Sequence, residues 1–386
     1  MDVTRLRQAL PVTRKVVYLN TGWSGPSPRA VTAQVKKWLD FEARQGPTTP
    51  RVLKAHHQAQ DEARQAVARL IGASPEEITL VQNTTEGINI VLNGMTWHQG
   101  DEVVTTNLEH SSGIIPCYSL ASLRRVRVRI VDLQGVDTPS QILERLRAAI
   151  GPPTRLLLLS HIMYLNGMCL PLRDIQAMAR ESNVKVLVDA AQSVGQMPLN
   201  MYDLGCDFYS LPGHKWLLGP DGTGALYMRR ELIPQIRPSK VGHHAAASYD
   251  FYGNWKPDNE SIKKFELTTT SSPLWAGLSA AIDFINEIGP EAIQERIRTL
   301  SGLAVAGLSS LPQVEVTSPQ HPELASGLVA FSVQGAAPQQ VVAHLWRKGR
   351  VVSRWVENPP GVRLSLHFFN TEEEVEAVMD CMRDLR

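Results

Sequence analysis

The chain has 386 residues, of which 43% are hydrophobic, and it carries 39 Lys and Arg against 38 Asp and Glu. A chain of this length can bury a large core and suggests two domains, or one large domain with a smaller one. Because the charges balance, no overall field would draw the protein to nucleic acid or to an anionic membrane. Any selectivity must therefore come from a local site.

The start of the chain and its cysteines indicate the compartment. The opening MDVTRLRQALPVTRK lacks the features of a secretory signal, and apolar runs such as 156–159 are too short to span a membrane, so we expect a cytoplasmic protein. The cysteines form no CxxC pair, which argues against a disulfide framework or a structural zinc site. We expect isolated buried thiols at Cys117, Cys169, Cys206 and Cys381.

Strand-like apolar runs alternate with helical patterns between about residues 67 and 228. The runs read EITLVQ, DEVVTTN, VRVRIVDL, TRLLLLSHI, VKVLVDA, DFYSL and GALYMR. This alternation predicts an α/β fold whose large domain contains a mostly parallel seven-stranded sheet with helices on both faces. The arginines of RRVRVRI, at 124–130, alternate with valine, which favours the solvated face of an edge strand over a nucleic-acid patch.

The pattern changes after the last of these strands. Residues 276–311 have helical periodicity with a Gly-Pro break, and strand, strand, helix, strand, strand and helix follow. We expect a smaller α+β C-terminal domain at 281–386, a large domain at 16–280, and an N-terminal segment at 1–15 that packs on the small domain.

Two residues carry the strongest chemical signal. Asp189 follows the buried run VKVLV, and Lys215 lies in the Gly/Pro-rich turn PGHKW after another strand. Taken separately, Asp189 could be a helix cap or a ribose ligand, and Lys215 a surface lysine. Taken together, at the carboxyl edge where such sheets bind ligands, they are what pyridoxal phosphate requires: a lysine for a Schiff base and a carboxylate for the pyridinium nitrogen.

With these motifs the sequence resembles the class V aminotransferase family of the fold-type I pyridoxal-phosphate enzymes. This family includes cysteine desulfurases, selenocysteine lyases and cysteine/cystine C-S lyases. The resemblance extends from YLNTGWSGPSP at 18–28 to NTEEEVEAVM at 370–379. The segments WHQGDE, GHKW and LPL and the paired arginines near the C-terminus look most like the C-S lyases. The resemblance implies the fold-type I transferase architecture and pyridoxal 5'-phosphate as the cofactor.

The resemblance implies a role for each motif residue around the cofactor ring. Lys215 would form the Schiff base, Asp189 would pair with the pyridine nitrogen, and Gln192 would hydrogen-bond the phenolic oxygen. His110 of LEHSSG would stack on the ring face, with a core-packed histidine as the alternative. The implied catalytic residues are Lys215, His110 and Asp189.

The resemblance also implies a phosphate site and a partner. Thr84 and Thr85 of QNTTEG would bind the phosphate at a helix N-terminus, which is a favourable anion site on physical grounds as well. His214 would be a further donor unless it packs in the core. Thr269 of KFELTTTSSP would reach the phosphate of a second subunit, so a homodimer is implied.

Substrate recognition is expected from the C-terminal arginines. Arg363 in GVRLSLHF would grip an amino-acid carboxylate, because a planar guanidinium offers two parallel hydrogen bonds. Arg354 in VVSRWV would assist it or form a surface ion pair.

The sequence departs from the family pattern at two places. Pro212 stands where many relatives have a Ser or Thr that binds phosphate, so that contact must be lost or replaced, with Ser210 as a candidate. Tyr164 stands where many relatives carry an Asn, and Asn166 follows two residues later, so either side chain could contact the cofactor.

The lack of a loop cysteine favours a C-S lyase over a cysteine desulfurase. Cysteine desulfurases use a nucleophilic cysteine on a loop upstream of the substrate arginine, whereas this chain has none between Cys206 and Cys381. We therefore expect a C-S lyase that converts cysteine or cystine to pyruvate, ammonia and sulfide or persulfide by α,β-elimination. An aminotransferase or an amino-acid epimerase needs the same residues and stays open, while the lack of a helix-turn-helix or a basic extension disfavours a transcription regulator.

The aromatic loop at 241–256 has two interpretations, a lid over the site or a packed surface loop. Its adjacent His243 and His244 are joined by no carboxylate or cysteine pattern, so we predict no metal site.

Overall fold

The computed structural model describes residues 1–385, which contain fifteen strands and twelve α-helices. The strands are β1 (Val17–Tyr18), β2 (Ile78–Val81), β3 (Glu102–Thr106), β4 (Arg127–Val131), β5 (Thr154–Ser160), β6 (Lys185–Asp189), β7 (Phe208–Pro212), β8 (Gly224–Met228), β9 (Ala246–Tyr249), β10 (Trp255–Pro257), β11 (Val314–Val316), β12 (Leu328–Val333), β13 (Val351–Val352), β14 (Arg354–Glu357) and β15 (Pro360–Ser365). The helices are α1 (Val3–Ala9), α2 (Arg29–Gln45), α3 (Pro50–Leu70), α4 (Thr84–Gly94), α5 (Ser111–Arg124), α6 (Pro139–Ala149), α7 (Leu172–Glu181), α8 (Met201–Leu204), α9 (Ser272–Ile288), α10 (Pro290–Ser309), α11 (Pro338–Gly349) and α12 (Glu372–Arg383). Within the same residues, no helix combines the length and the apolar character that crossing a membrane requires.

A seven-stranded sheet forms the centre of the fold, in the order β2-β8-β7-β6-β5-β3-β4. Its neighbouring strands are parallel except where β8 pairs with β2 and with β7. Leu156 and Leu158 of β5 belong to one core cluster, and Leu157 and Leu159 to another, because alternate residues of a strand face opposite sides of the sheet. The predicted mostly parallel sheet with both faces buried is confirmed.

The arginine-rich strand β4 lies at one edge of this sheet and pairs only with β3. Arg127 and Arg129 are exposed on it, and the Arg129 guanidinium donates to the buried Glu102 carboxylate. The prediction of a solvated edge strand is therefore confirmed.

A second, antiparallel sheet lies in the C-terminal part, in the order β11-β12-β15-β14. Helices α10, α11 and α12 pack with it around a separate core cluster. The predicted helix break occurs at Gly289, between α9 and α10. The proposed boundary at residue 280 lies inside α9, so the division into domains stays a prediction.

The N-terminal segment contacts this C-terminal part. Arg7 of α1 donates to the Phe369 carbonyl and pairs with the Glu374 carboxylate at 2.8 Å. Strand β1 pairs with β13 in parallel, through Val17 and Val351. The start of the chain therefore packs against the C-terminal part of the structure.

The carboxyl edge of the central sheet positions the site. Strands β5 and β6 both end there, with Ser160 and Asp189 as register partners on adjacent strands. Helix α4 begins at the same edge after β2, and the Asn83 side chain caps it by accepting from the Glu86 N–H. Helix α4 packs closely on β7, because a Cβ added at Gly87 would lie 2.1 Å from the Ser210 Oγ.

The packing around two helical glycines, one crowded and one open, predicts opposite effects of alanine substitution on stability. We expect Gly87→Ala to lower the free energy of unfolding by about 1–3 kcal/mol, because α4 must move away from β7. We expect Gly302→Ala in α10 to raise it by about 0.5–1 kcal/mol, because a Cβ there meets no atom within 4 Å and alanine favours helix. Denaturant unfolding of both variants measures the difference, and equal effects would contradict the packing.

Candidate active site

A cavity of about 270 Å³ lies at the carboxyl edge of the central sheet. Nine of the ten predicted site residues line it: Thr84, Thr85, His110, Asp189, Gln192, His214, Lys215, Arg354 and Arg363. The tenth, Thr269, lies outside it, exposed and with a φ of 61° in the loop before α9. Segments that are distant in the sequence therefore converge on one site.

The Lys215 amine and the Asp189 carboxylate form the charged centre of the cavity. Burial lowers the pKa of Lys215 to about 8, although the Asp189 charge acts in the opposite direction. Burial raises the pKa of Asp189, while the Lys215 charge and the Ala191 N–H, which donates to the carboxylate at 2.8 Å, oppose the shift. A lysine with a lowered pKa releases its proton readily, which both nucleophilic and base chemistry require.

Two hydrogen bonds fix the Gln192 amide. Its Oε1 accepts from the Trp216 indole N–H at 2.8 Å, and its Nε2 donates to the Gly22 carbonyl at 2.9 Å. Because an indole can only donate, the atom facing Trp216 must be the oxygen. One amide N–H of Gln192 is therefore left for an acceptor in the cavity, as the predicted contact with the phenolic oxygen requires.

His110 is a neutral ring whose tautomer follows from its contacts. Its Nδ1 accepts from the Ser112 N–H at 3.1 Å, so the proton lies on Nε2. Burial, followed by the charges of Lys215, Arg354 and Arg363, lowers its pKa to about 4. The ring packs edge-on against Tyr164, with centroids 4.7 Å apart. A neutral aromatic face on the cavity wall suits stacking on a flat heterocycle.

The end of the cavity at α4 has the features of an anion site. The Thr84 Oγ1 and the His214 Nδ1 are both buried and have no hydrogen-bond partner in the structure. The first amide groups of α4, at Thr84 and Thr85, point out of the helix without intrahelical acceptors. Unpartnered buried donors at a helix N-terminus match the phosphate of the expected cofactor.

Ser210 does not replace the hydroxyl that is missing at Pro212. Its side chain is fully buried beneath α4 and donates to the Thr84 carbonyl at 2.9 Å. Neither Ser210 nor Pro212 lines the cavity. The prediction that Ser210 replaces the lost phosphate contact is therefore wrong, since Ser210 fixes the start of α4 instead of facing a ligand.

Arg363 is a fully buried cation that lacks a carboxylate partner among residues 1–385. One Nη donates to the Tyr164 carbonyl at 2.6 Å, whereas Nε and the other Nη have no partner. Burial, and then the neighbouring Arg354, lower its pKa to about 9, so the guanidinium stays charged at neutral pH. A buried cation with two free donors requires an anion, which a substrate carboxylate would supply.

Arg354 lies beside Arg363, as its register partner on the adjacent strand. Its guanidinium stacks on the Trp23 ring, 4.1 Å from the centroid, and is half-buried. The alternative prediction, a surface ion pair for Arg354, is not found among the described residues.

Tyr164 and Asn166 are the two candidates for a contact with the cofactor. Tyr164 lines the cavity, whereas the Asn166 side chain accepts from the Met168 N–H. Tyr164 is therefore the candidate that faces the site.

Sequence reasoning missed several lining residues: Gly22, Trp23, Asn83, Ser112, Ser160 and Ala191. Trp23 has a detectable signal in the sequence, because it belongs to the YLNTGWSGPSP segment that carries the family resemblance. Ser160 ends a buried strand at the binding edge, a position that the sheet argument alone selects.

The four cysteines are all free and buried, as predicted. Burial raises the pKa of Cys117, Cys169 and Cys206 to about 12, so these thiols stay protonated. None of the four lines the cavity.

The loop at 241–256 forms an exposed hairpin from β9 and β10. The Phe251 and Tyr252 side chains at its tip are 92% and 93% exposed, and Phe251 makes an edge-on contact with the Tyr249 ring of the same hairpin. No residue of the hairpin lines the cavity, and a lid role stays a prediction.

The site and the fold together define a pyridoxal-phosphate enzyme: an amine facing a carboxylate, an anion site at a helix N-terminus, and a buried arginine for an acid. The Aminotransferase class-V family profile matches residues 17–378, so the chain belongs to this family.

Curated relatives and solved structures are similar over nearly the whole chain. A probable cysteine desulfurase of Methanothermobacter thermautotrophicus is 31% identical, across 100% of this chain and 98% of its own. Isopenicillin N epimerase of Streptomyces clavuligerus is 30% identical, across 95% and 94%. Two structures of C-DES reach a TM-score of 0.91: a mutant with glycine covalently linked to its PLP cofactor, at 30% identity across 98% and 99%, and a complex of this cystine C-S lyase with its product cysteine persulfide, at 31% identity across 97% and 99%.

The geometry predicts which lysine takes the cofactor. After incubation with pyridoxal phosphate and reduction with borohydride, peptide mapping should find the label on Lys215, because its amine is free in the cavity. Lys264 is also buried, but its amine donates to the carbonyls of Ile233 and Asn259, so it should stay unlabelled. Lys215→Ala should lose the label, and a label elsewhere would contradict the assignment.

Proposed function

We propose that this protein is a C-S lyase that releases pyruvate, ammonia and sulfide or persulfide from cysteine or cystine by α,β-elimination. The observation that carries the proposal is a pyridoxal-phosphate cavity with a free carboxylate-binding arginine and no thiol on its walls within residues 1–385. The similarity to the cystine lyase C-DES supports it. Four free cysteines support a cytoplasmic location, where thiols stay reduced.

The two arginines would hold the substrate in one orientation. The unpartnered Nε and Nη of Arg363 can donate two parallel hydrogen bonds to the α-carboxylate. Arg354, held over Trp23, adds a second positive charge at the same wall. A carboxylate fixed in this way would orient the bonds at Cα and so determine which of them is broken.

Bound pyridoxal phosphate supplies an electron sink for the charge that develops at Cα. Asp189 would hold the ring nitrogen of the bound cofactor, and the Lys215 charge and the Ala191 N–H favour the ionised carboxylate against the effect of burial. With cofactor and substrate bound, the Lys215 amine would take up the Cα proton, since burial already favours its neutral form. Loss of the proton then allows the sulfur group to leave Cβ.

A desulfurase reaction is disfavoured by the same geometry. Transfer of sulfur to the enzyme needs a thiolate within reach of the substrate sulfur. The cysteine thiols here are buried outside the cavity, and the residues between β10 and α12 contain none. Sulfur would therefore leave as a free product.

We also propose a homodimer in which Thr269 reaches the phosphate site of the second copy. The segment before Thr269 is anchored firmly: Glu266 accepts from the Arg64 guanidinium at 2.6 and 3.0 Å and from the Leu80 N–H. Lys264 adds two hydrogen bonds to backbone carbonyls. This anchoring supports a loop held in one outward conformation.

Epimerisation of an amino acid is the second candidate, because the chain is 30% identical to isopenicillin N epimerase. An aminotransferase would use the same lysine, aspartate and arginines. Both alternatives differ from the lyase in the product that they return.

Product analysis with cystine separates these reactions. We expect pyruvate and ammonia in equal amounts, with the sulfur recovered as cysteine persulfide or sulfide, because Cβ loses its sulfur after Cα loses its proton. Recovery of alanine would indicate a desulfurase, D-amino acid an epimerase, and an oxo acid that retains sulfur an aminotransferase. Any of these three results in place of pyruvate would overturn the proposal.

Substitution of Arg363 tests carboxylate recognition. Arg363→Met should lower kcat/KM for cystine by about 100-fold, because a charge-assisted pair of hydrogen bonds is lost in a dry site. Arg363→Lys, which keeps the charge without the planar fork, should recover only part of the loss. Cofactor absorbance should be retained in both variants, and an unchanged kcat/KM in Arg363→Met would contradict the assignment.

The lowered pKa of Lys215 predicts a pH dependence. A lysine removes a proton only when neutral, and with a pKa of about 8 its neutral fraction rises as the pH rises from 6 to 9. Exchange of the Cα proton of a bound amino acid that has no leaving group, such as alanine, should therefore accelerate over this range and level off above it. Exchange that is independent of pH would indicate another base.

A further inference from the structure

A second buried carboxyl, that of Glu109, lies at the carboxyl edge of the central sheet and is not used by the proposed mechanism. It directly precedes His110 and is 6% exposed. Its oxygens accept from the Thr106 hydroxyl at 3.0 Å, from the Ser160 N–H at 3.0 and 3.1 Å and from the Ser160 hydroxyl at 2.5 Å. Within residues 1–385, no cation pairs with it.

Ser160 connects Glu109 to the site. Ser160 lines the cavity, and it is the register partner of Asp189 at the ends of β5 and β6. Both hydrogen-bonding groups of Ser160 point to the Glu109 carboxyl. A change at Glu109 therefore reaches the wall of the cavity through a single residue.

We propose that Glu109 is a positioning residue for the cofactor ring, which adds a second buried negative charge beside Asp189 and orients the Ser160 hydroxyl. A negative charge close to the ring favours the protonated forms of its nitrogens. The arrangement would strengthen the electron-accepting character that Asp189 provides.

The surroundings allow Glu109 to exist in both protonation states. The hydroxyls of Thr106 and Ser160 can donate to a carboxylate or accept from a carboxylic acid. The titratable groups that affect it or that it affects are Asp189 on β6, Cys117 on α5 and Tyr164 in the loop after β5. Burial raises the pKa of Glu109 to about 7, although the Ser160 hydrogen bonds oppose the shift.

The sign of the pH effect follows from this raised value. Between the ordinary glutamate pKa of 4.5 and about 7, the folded protein keeps a proton that the unfolded chain releases. The contribution of Glu109 to the free energy of unfolding therefore becomes less favourable as the pH rises through this window. Above the window, Glu109 is ionised and its negative charge lies next to the site.

The test is the pH dependence of the visible absorbance of the resting holoenzyme. Without the Glu109 charge, the bound cofactor should release its proton at a lower pH, so Glu109→Gln should lower the midpoint by on the order of half a pH unit or more. The matched control is Glu102→Gln, since Glu102 is also buried and accepts from a β5 hydroxyl, that of Thr154, at the opposite end of the same strands. The control should leave the midpoint unchanged.

A midpoint in Glu109→Gln equal to that of the parent enzyme would overturn the proposal, even if the melting temperature falls. If this variant does not fold, Ser160→Ala gives the second test. Removal of the donor raises the pKa of Glu109 and should move the absorbance midpoint in the same direction by a smaller amount, and an unchanged midpoint would again overturn the proposal. Of the proposed function, this proposal requires only that the protein binds pyridoxal phosphate. The absorbance titration contains no substrate, so a negative result there is distinguishable from a negative result in the pyruvate assay.

Discussion

The buried charges at the carboxyl edge of the central sheet are the constraint on which the rest of the structure depends. Lys215, Asp189 and Arg363 are held where water cannot fully solvate them, and only the first two compensate each other. An isolated buried charge is expensive, so the Arg363 guanidinium favours binding of an anion. The Thr84 hydroxyl and the His214 nitrogen, which have no hydrogen-bond partner, likewise favour binding of an anion at the other end of the cavity. The site is thus prepared for a flat ligand that is anionic at one end and for an acid that binds beside it.

Neither sheet alone could build this site. The central sheet places Asp189 and Lys215 after parallel strands, while the antiparallel sheet supplies Arg354 and Arg363 from adjacent strands. Hydrogen bonds join the two parts behind the cavity: the His367 ring bonds the Trp216 carbonyl at 2.9 Å, and the Trp216 indole bonds Gln192. These hydrogen bonds link the turn that carries Lys215 and the Gln192 amide to the segment that directly follows the Arg363 strand.

Much of the fold and the site could be predicted from sequence, because residue type and strand position coincide there. Asp189 and Lys215 each end or follow a strand at an edge where side chains must converge, and Arg363 is indicated by its residue type and by the family resemblance. The choice between Tyr164 and Asn166 could not be predicted, since it depends on a turn in which Asn166 bonds its own backbone and Gly167 takes a φ of 76°. The position of the Glu109 carboxyl could not be predicted for a similar reason, because only the tertiary pairing with Ser160 shows which way it points. The role of Thr269 depends on a second copy of the chain and stays a prediction.

Binding of the cofactor with and without its phosphate tests the central claim most directly. Apoprotein titrated with pyridoxal phosphate should develop a visible absorbance band that saturates at one cofactor per chain. Pyridoxal, which lacks the phosphate, should bind at least about 100-fold more weakly, because the α4 N-terminus, Thr84 and His214 would then stay unpartnered. Equal affinity for the two compounds, or protein that remains colourless with both, would contradict the account.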